Sequence, residues 1–391
     1  MLTRKSAETE AREVILPFWQ GLADPRGGFY GEADYAGKIR ENADKGCILN
    51  SRILWTFSAA YRLLNDSSYK ESADRARNFL SDAFLDKEYG GLYWLADENG
   101  RPKDTKKHFY NIAFGIYALS EHFRATGDAS SLKLAEELFE LVEKHGFDPE
   151  RGGYVEANTR EWALANDFAL SGKDLNSPKS MNTNLHVLEA YTGLLNAGGG
   201  ARVRSALKGL IRVTIDKIIN KKHNFELFFD MDWKSLIDDI SYGHDIEGSW
   251  LLYEAALAVG EPELTAEVKK TALGIAEATY AVALDAQNGG FLSGIVGGKP
   301  VGQKEWWPQA ESVVGFYNAF QLSGDERFKR AAEDCWDYAQ NNFSDKKNGD
   351  WHNELSHANV PDPKMPKAGF WKCPYHNARA CFEIIRRVQG S

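Results

Sequence analysis

The stretch YGGLYWL, Tyr89–Leu95, sets two glycines among aromatic and aliphatic residues. A glycine pair suits a tight hairpin between two short strands, because glycine reaches positive φ without steric cost. Near-copies recur as RGGFYGE at Arg26–Glu32, RGGYVEA at Arg151–Ala157, NGGFLSG at Asn288–Gly294 and NGDWHNE at Asn348–Glu354. The second glycines, Gly28, Gly91, Gly153 and Gly290, stand 63, 62 and 137 residues apart. The last interval is two periods, with a degenerate copy, NFELFFD (Asn224–Asp230), inside it. Six units of roughly 65 residues are the mark of a helical-hairpin repeat.

Each unit has the same grammar. An apolar helix follows the turn, as in NSRILWTFSAAYRLL, YNIAFGIYALSEHF, NTNLHVLEAYTGLL and ESVVGFYNAFQL. These helices are apolar around most of their circumference and should be buried. A break such as TGD (Thr126–Asp128) or SGD (Ser323–Asp325) comes next, where glycine ends one helix and aspartate caps another. The second helix, as in SLKLAEELFELVEKH, has one apolar stripe and one charged face. Six buried helices alternating with six amphipathic ones predict an all-α (α/α)6 barrel in a single domain, 1–391, with short β-hairpin loops at one end. An open solenoid is the alternative.

The charge balance narrows the partners. Net charge is −9 with no basic run, which argues against nucleic acid or an anionic membrane surface. No apolar run approaches the ~20 residues of a membrane span. Cys47, Cys335, Cys373 and Cys381 are scattered without a CxxC pair, which fits a reducing cytoplasm better than a disulfide framework. A monomer is expected.

In a parallel inner ring, all helix N-termini lie at one end, and the unusual polar residues fall there. They are Arg52 on the first inner helix, His108 and Tyr110 on the second, and Asn182 and His186 on the third. His244 and Glu247 follow on the fourth, Trp306, Trp307 and Glu311 on the fifth, and His376 and Arg379 on the sixth. One representative per helix, spaced one period apart, implies a shared funnel. Each has a plainer reading. Glu247 could be a first-turn acid and Arg52 a structural ion pair, while Asn182 and Glu311 suit either role. His122 and His145, near helix C-termini, are read as core residues, and His352 and His357 as surface. For His186, His244 and His376, recurrence at equivalent positions favours function.

Several chemistries can be weighed. His244 and Glu247 share a helix face, but no second ligand pair accompanies them, so no metal is expected. GIVGGKPV (Gly294–Val301) lacks the Ser/Thr and glycine spacing of a phosphate loop. Cys373, near a helix start, is a weak nucleophile candidate. Glycoside hydrolysis by Glu247 and Glu311 is the serious rival, but leaves three histidines unexplained. Proton abstraction beside a carbonyl uses them. His244 and His376 would work on opposite faces of a carbon, Arg52 and His186 would stabilise an enediolate, and Glu247 would raise the basicity of His244.

The stretches KGCILNSRILW, KHFYNIAFGIYALSEH, KSMNTNLHVLEAY, SYGHDIEGSWLL, WWPQAESVVGFYNAFQ and WKCPYHNARACFEII run from Lys45 to Ile385. In combination they resemble the cellobiose 2-epimerases of the N-acylglucosamine 2-epimerase superfamily. The resemblance implies an (α/α)6 barrel that interconverts glucose and mannose at the reducing end of β-1,4-linked disaccharides without a cofactor. By position, it implies His244 and His376 as the acid/base pair, with His186 and Arg52 on the opened aldose. Tyr110, Asn182, Glu247, Trp306, Trp307, Glu311 and Trp371 would bind the sugars. Pro308 departs from family members with an aliphatic residue there.

Overall fold

The computed structural model describes residues 1–172 and 174–388. Among them, twelve helices alternate between an outer and an inner ring. The outer set is α1 (Arg4–Glu10, continued through a π-helical turn to Leu16–Gln20), α3 (Ser67–Phe79), α5 (Ala129–His145), α7 (Ala201–Val213), α9 (Pro262–Ala283) and α11 (Glu326–Asn342). The inner set is α2 (Cys47–Leu64), α4 (Phe109–Thr126), α6 (Met181–Asn196), α8 (Tyr242–Val259), α10 (Trp306–Ser323) and α12 (Tyr375–Arg387). Each inner helix packs on the next, and α12 packs on α2, so the ring closes as an (α/α)6 barrel.

Patterning explains the two rings. On α2, every residue from Cys47 to Ala60 is buried, as an all-round apolar helix requires. On α5 the buried residues Leu134, Ala135, Leu138, Phe139 and Val142 follow a helical stripe. Gly127 and Gly324 end inner helices at φ 76° and 75°. Asp128 and Asp325 then accept from Ser130 and Arg327 backbone N–H groups and cap the next outer helices.

The seam of the ring joins the first helix to the last. Helix α1 packs on α12 as its outer partner, so the repeat is offset by one helix from the turn-first reading. Trp351 Nε1 donates to buried Glu10 of α1 at 2.7 Å, and the Asp350 N–H donates to the Val14 carbonyl at 3.0 Å.

The glycine turns lie at the mouth end. Gly91 has φ 75°, and a Cβ there would meet the Trp162 ring at 2.8 Å, so both conformation and space demand glycine. Short strands ahead of the inner helices pair antiparallel with the next unit, as in Lys45↔Ala96, Lys107↔Asn158, Lys179↔Phe229, Ile240↔Ile295 and Lys304↔Leu355. Ala33↔Ala368 links the last unit to the first. In five units a buried lysine beside this strand pairs with the aspartate that opens the glycine turn. The pairs are Lys45–Asp24 (2.7 Å), Lys107–Asp86 (2.9 Å), Lys179–Asp148 (2.7 Å), Lys304–Asp285 (2.8 Å) and Lys367–Asp345 (2.5 Å). In the fourth unit both partners change together, to Ile240 and Asn220. Removing one buried charge would strand the other, whereas replacing both avoids that cost.

Candidate active site

The inner helices deliver their polar residues in stacked layers. Tyr110, Asn182, His244, Trp307 and His376 lie in the first turn of their helices, and Arg52, His186, Glu247 and Glu311 about one turn deeper. The sequence reading treated these as one ring, and the structure resolves them into a mouth and a floor.

At the mouth, Trp307 stands beside both proposed acid/base residues. Its ring centroid is 4.7 Å from that of His244 and 5.6 Å from that of His376. His376 Nδ1 lies 2.7 Å from Glu311 Oε1, and His244 Nδ1 lies 2.7 Å from Ser241 Oγ. With Nδ1 engaged in each ring, Nε2 is the nitrogen left for chemistry. His186 follows the same pattern, with Nδ1 2.9 Å from Glu189 Oε2. Burial, followed by the charges of His186 and Arg52, pushes His244 down to about 3. Burial, then Arg52 and Arg379, holds His376 well below the ordinary imidazole value. Both rings are therefore neutral at pH 7.

Arg52 is 3% exposed and makes no ion pair among the described residues. Its guanidinium donates to Tyr110 Oη at 2.6 Å and to Cys373 Sγ at 3.7 Å, and lies 4.2 Å from the Phe114 ring centroid. A buried cation without a counter-ion is costly unless something anionic arrives. Tyr110 also packs edge-on against His186 at 5.0 Å and against Trp371 at 6.0 Å. Trp94, Phe370 and Trp371 continue an aromatic shelf at spacings of 5.0 to 6.1 Å. Asn182 is half-buried, with Oδ1 unpartnered.

The floor is an ionic hub. Arg379 Nη2 donates to Glu247 Oε1 at 2.5 Å and to Glu311 Oε1 at 2.6 Å, and Nη1 pairs with Glu189. Tyr375 Oη also donates to Glu189, and Trp250 Nε1 donates to Glu311 Oε2 at 3.1 Å. Burial alone would raise Glu189, but Arg379 and His186 pull it down to about 2. Glu247, buried beside Glu311, is held well above the usual carboxylate range.

Two expectations change here. Glu247 does not tune His244. Its Oε1 is spent on Arg379 and lies 3.7 Å from His376 Nδ1, while the Nδ1 of His244 turns back to the helix cap at Ser241. Nor do Glu247 and Glu311 line a sugar site. Both are fully buried, and their inward oxygens and His376 lie within 4.8 Å of one another around one guanidinium. Carboxylates so held cannot flank a glycosidic bond, which removes the basis for the hydrolase reading. The same three residues form a potential metal-ligand group, and Arg379 supplies the positive charge at its centre.

Five of the six other histidines were weighed from the sequence. His122 is buried and bonds Ser131 and Asp74 at 2.9 and 3.0 Å, whereas His145 is half-buried at the end of α5, stacked on Trp162 at 4.5 Å, and not a core residue. His108 occupies the N-cap position of α4 without a side-chain capping bond, its Nε2 held instead by the Phe168 carbonyl at 3.0 Å. His357 is exposed, whereas His352 is half-buried against Tyr35 at 5.3 Å and not a surface residue. Cys373 is fully buried beneath Arg52. Trp306 is buried, under Lys372 and edge-on to His376 at 6.3 Å. The residues sequence reasoning passed over are Ser241, Glu189, Trp250 and Tyr375. One signal was present, since Glu189 follows His186 by the same three-residue step that links His244 to Glu247.

The family model described as N-acylglucosamine 2-epimerase (GlcNAc 2-epimerase) matches residues 28–380. The cellobiose 2-epimerase of Bacteroides fragilis is 44% identical over 98% of this chain and 99% of its own. That of Ruminococcus albus is 41% identical over 97% of each chain. A solved sugar epimerase from a ruminal bacterium superposes with a TM-score of 0.95 at 39% identity, over 99% of this chain and 100% of that one.

Proposed function

Because the chain belongs to the N-acylglucosamine 2-epimerase family, we propose that it inverts C2 at the reducing end of β-1,4-linked disaccharides, converting glucosyl-glucose to glucosyl-mannose and back. The observation that carries the reading is the histidine pair on Trp307, each ring with Nδ1 engaged and Nε2 left for a proton. One imidazole takes the C2 proton of the ring-opened aldose. The other returns a proton to the opposite face of the enediolate. Arg52, buried without a carboxylate partner among the described residues, meets the negative charge that develops on the oxygens, with His186 and Tyr110 beside it. Half-buried Phe370 and Trp371, with buried Trp94 packed against both, offer aromatic surface to the second sugar. The reaction is proton transfer alone, with no change of oxidation state. All six inner helices come from one chain and the ring closes on itself, which supports a single-domain enzyme whose mouth is complete within one subunit. Among the described residues, no helix is long and apolar enough to cross a membrane.

The test is incubation with cellobiose in heavy water, followed by NMR. The expected result is deuterium at C2 of the reducing-end sugar and appearance of the manno epimer. His244→Ala and His376→Ala should each abolish formation of the manno epimer while leaving the fold intact. Release of monosaccharides without C2 exchange would overturn the reading.

A further inference from the structure

The two imidazoles differ in what holds Nδ1. His376 faces a carboxylate. Arg379 shares the same Glu311 oxygen and Trp250 takes the other, which keeps Glu311 in the accepting role. Nδ1 of His376 therefore carries the hydrogen, and Nε2 of the neutral ring is a bare lone pair. His244 faces a hydroxyl, which can donate as well as accept. When Ser241 donates to Nδ1, the ring proton sits on Nε2 and His244 is an acid. When Ser241 accepts, Nε2 is bare and His244 is a base. Arg52 and His186 face His244 and oppose a second proton on the ring, so a change of tautomer is its route from one role to the other. Glu311 is fully buried, whereas Ser241 is half-buried at the mouth.

Inversion by two bases leaves the pair in swapped protonation states, which must be reset before the next turnover. Building on the epimerase reading, we propose that Ser241 is the positioning and proton-relay residue of His244, passing protons between solvent water and Nδ1. In one direction the Nε2–H bond breaks as the C2–H bond forms. Nδ1 takes the hydroxyl proton of Ser241, and Ser241 takes one from water. The hydroxide so formed is neutralised by the proton that His376 removed from C2 and releases. In the other direction His376, first protonated on Nε2 from solvent water, gives that proton to C2 as His244 takes the C2 proton on Nε2, and the Nδ1 proton of His244 leaves through Ser241 to water, which restores the balance. No electron changes hands, and water is the only co-reactant.

Ser241 also caps α8 by accepting the His244 backbone N–H at 3.4 Å, so alanine alone would confound relay with cap. Aspartate caps as well as serine but only accepts. The test compares Ser241→Thr, Ser241→Asp and Ser241→Ala in the full chain. Each is given cellobiose or its manno epimer in heavy water, with C2 exchange and inversion measured separately and folding checked by thermal melt. Threonine should stay within about 3-fold of wild type in both readouts, because it keeps the hydroxyl. Aspartate, and alanine where it folds, should lose inversion by about 10²-fold, the size of a lost acid–base contribution. Exchange should persist, because a locked base can still abstract and return hydrogen on its own face. Aspartate inverting at the wild-type rate, or exchange and inversion falling in parallel, overturns the relay. Wild type showing no C2 exchange on either sugar overturns the epimerase reading and the relay together.

Discussion

Arg379 of α12 and Glu189 of α6 are ion-paired across the bore of the barrel, from the sixth inner helix to the third. The same guanidinium holds Glu247 and Glu311, so one side chain ties four of the six inner helices at the floor of the mouth. The histidines stand on this floor. His186 bonds Glu189, and His376 bonds Glu311.

Arg379→Lys should therefore be severe. An ammonium is a point charge and cannot fork to three carboxylates held by a planar group. Leaving buried acids uncompensated should cost about 3–5 kcal/mol. The urea midpoint should fall accordingly, and C2 exchange should be lost. An unchanged midpoint would show that the hub contributes nothing to stability.

Glu311→Gln tests the hold on His376. The amide cannot serve as anionic acceptor to Nδ1 and Arg379 together. A fall in kcat of about 10²-fold with little change in KM is expected, because the effect is on proton transfer and not on sugar contacts. A change confined to KM would place Glu311 with substrate binding instead.

The pH profile has a definite sign. An imidazole works as a base only when unprotonated, and both His244, at about 3, and His376 lie below the ordinary value of 6.5. Lowering the pKa extends the neutral, competent form to more acidic solution. The acid limb of kcat/KM should fall below about 5.5, well under an unperturbed histidine. An acid limb centred at 6.5 or higher would count against it.

Gly243→Ala probes the seat of Trp307. A Cβ at position 243 would come within 2.4 Å of the Trp307 ring and 3.0 Å of Pro308. The indole must then shift away from α8, where it lies between the two histidines. We expect a changed tryptophan emission and a kcat/KM on cellobiose lower by roughly tenfold, the effect of an ångström-scale misplacement of a positioning group. Wild-type emission and kinetics would show that the indole accommodates the methyl in place.

The barrel was legible because its signal is periodic. Apolar inner helices recur in all six units and glycine turns in five, at roughly one spacing, and chance does not produce such a series. The mouth was legible for a related reason, since a polar residue in an apolar helix stands out wherever it occurs. The pairings within the mouth were not. The step of three residues that joins His186 to Glu189 also separates His244 from Glu247, yet only the first pair is bonded. What decides between them is Arg379, brought from 132 residues away to claim Glu247. A contact set by ring closure leaves no trace in local spacing. Ser241 was hidden differently, since as a helix cap it looks like ordinary punctuation.

The seam between α1 and α12 makes the covalent order of the units a matter of where a circle is cut. The first helix packs as the outer partner of the last inner one, so that junction is structurally equivalent to the five joined by peptide bonds. The turn at Gly127 and Asp128, at the end of the barrel away from the site, has open space around the glycine. A gene rewired to start there, with a linker bridging the old ends, should fold into the same barrel with every mouth residue in place. The fold is a cyclic object written in linear form, and its chemistry does not depend on the starting letter.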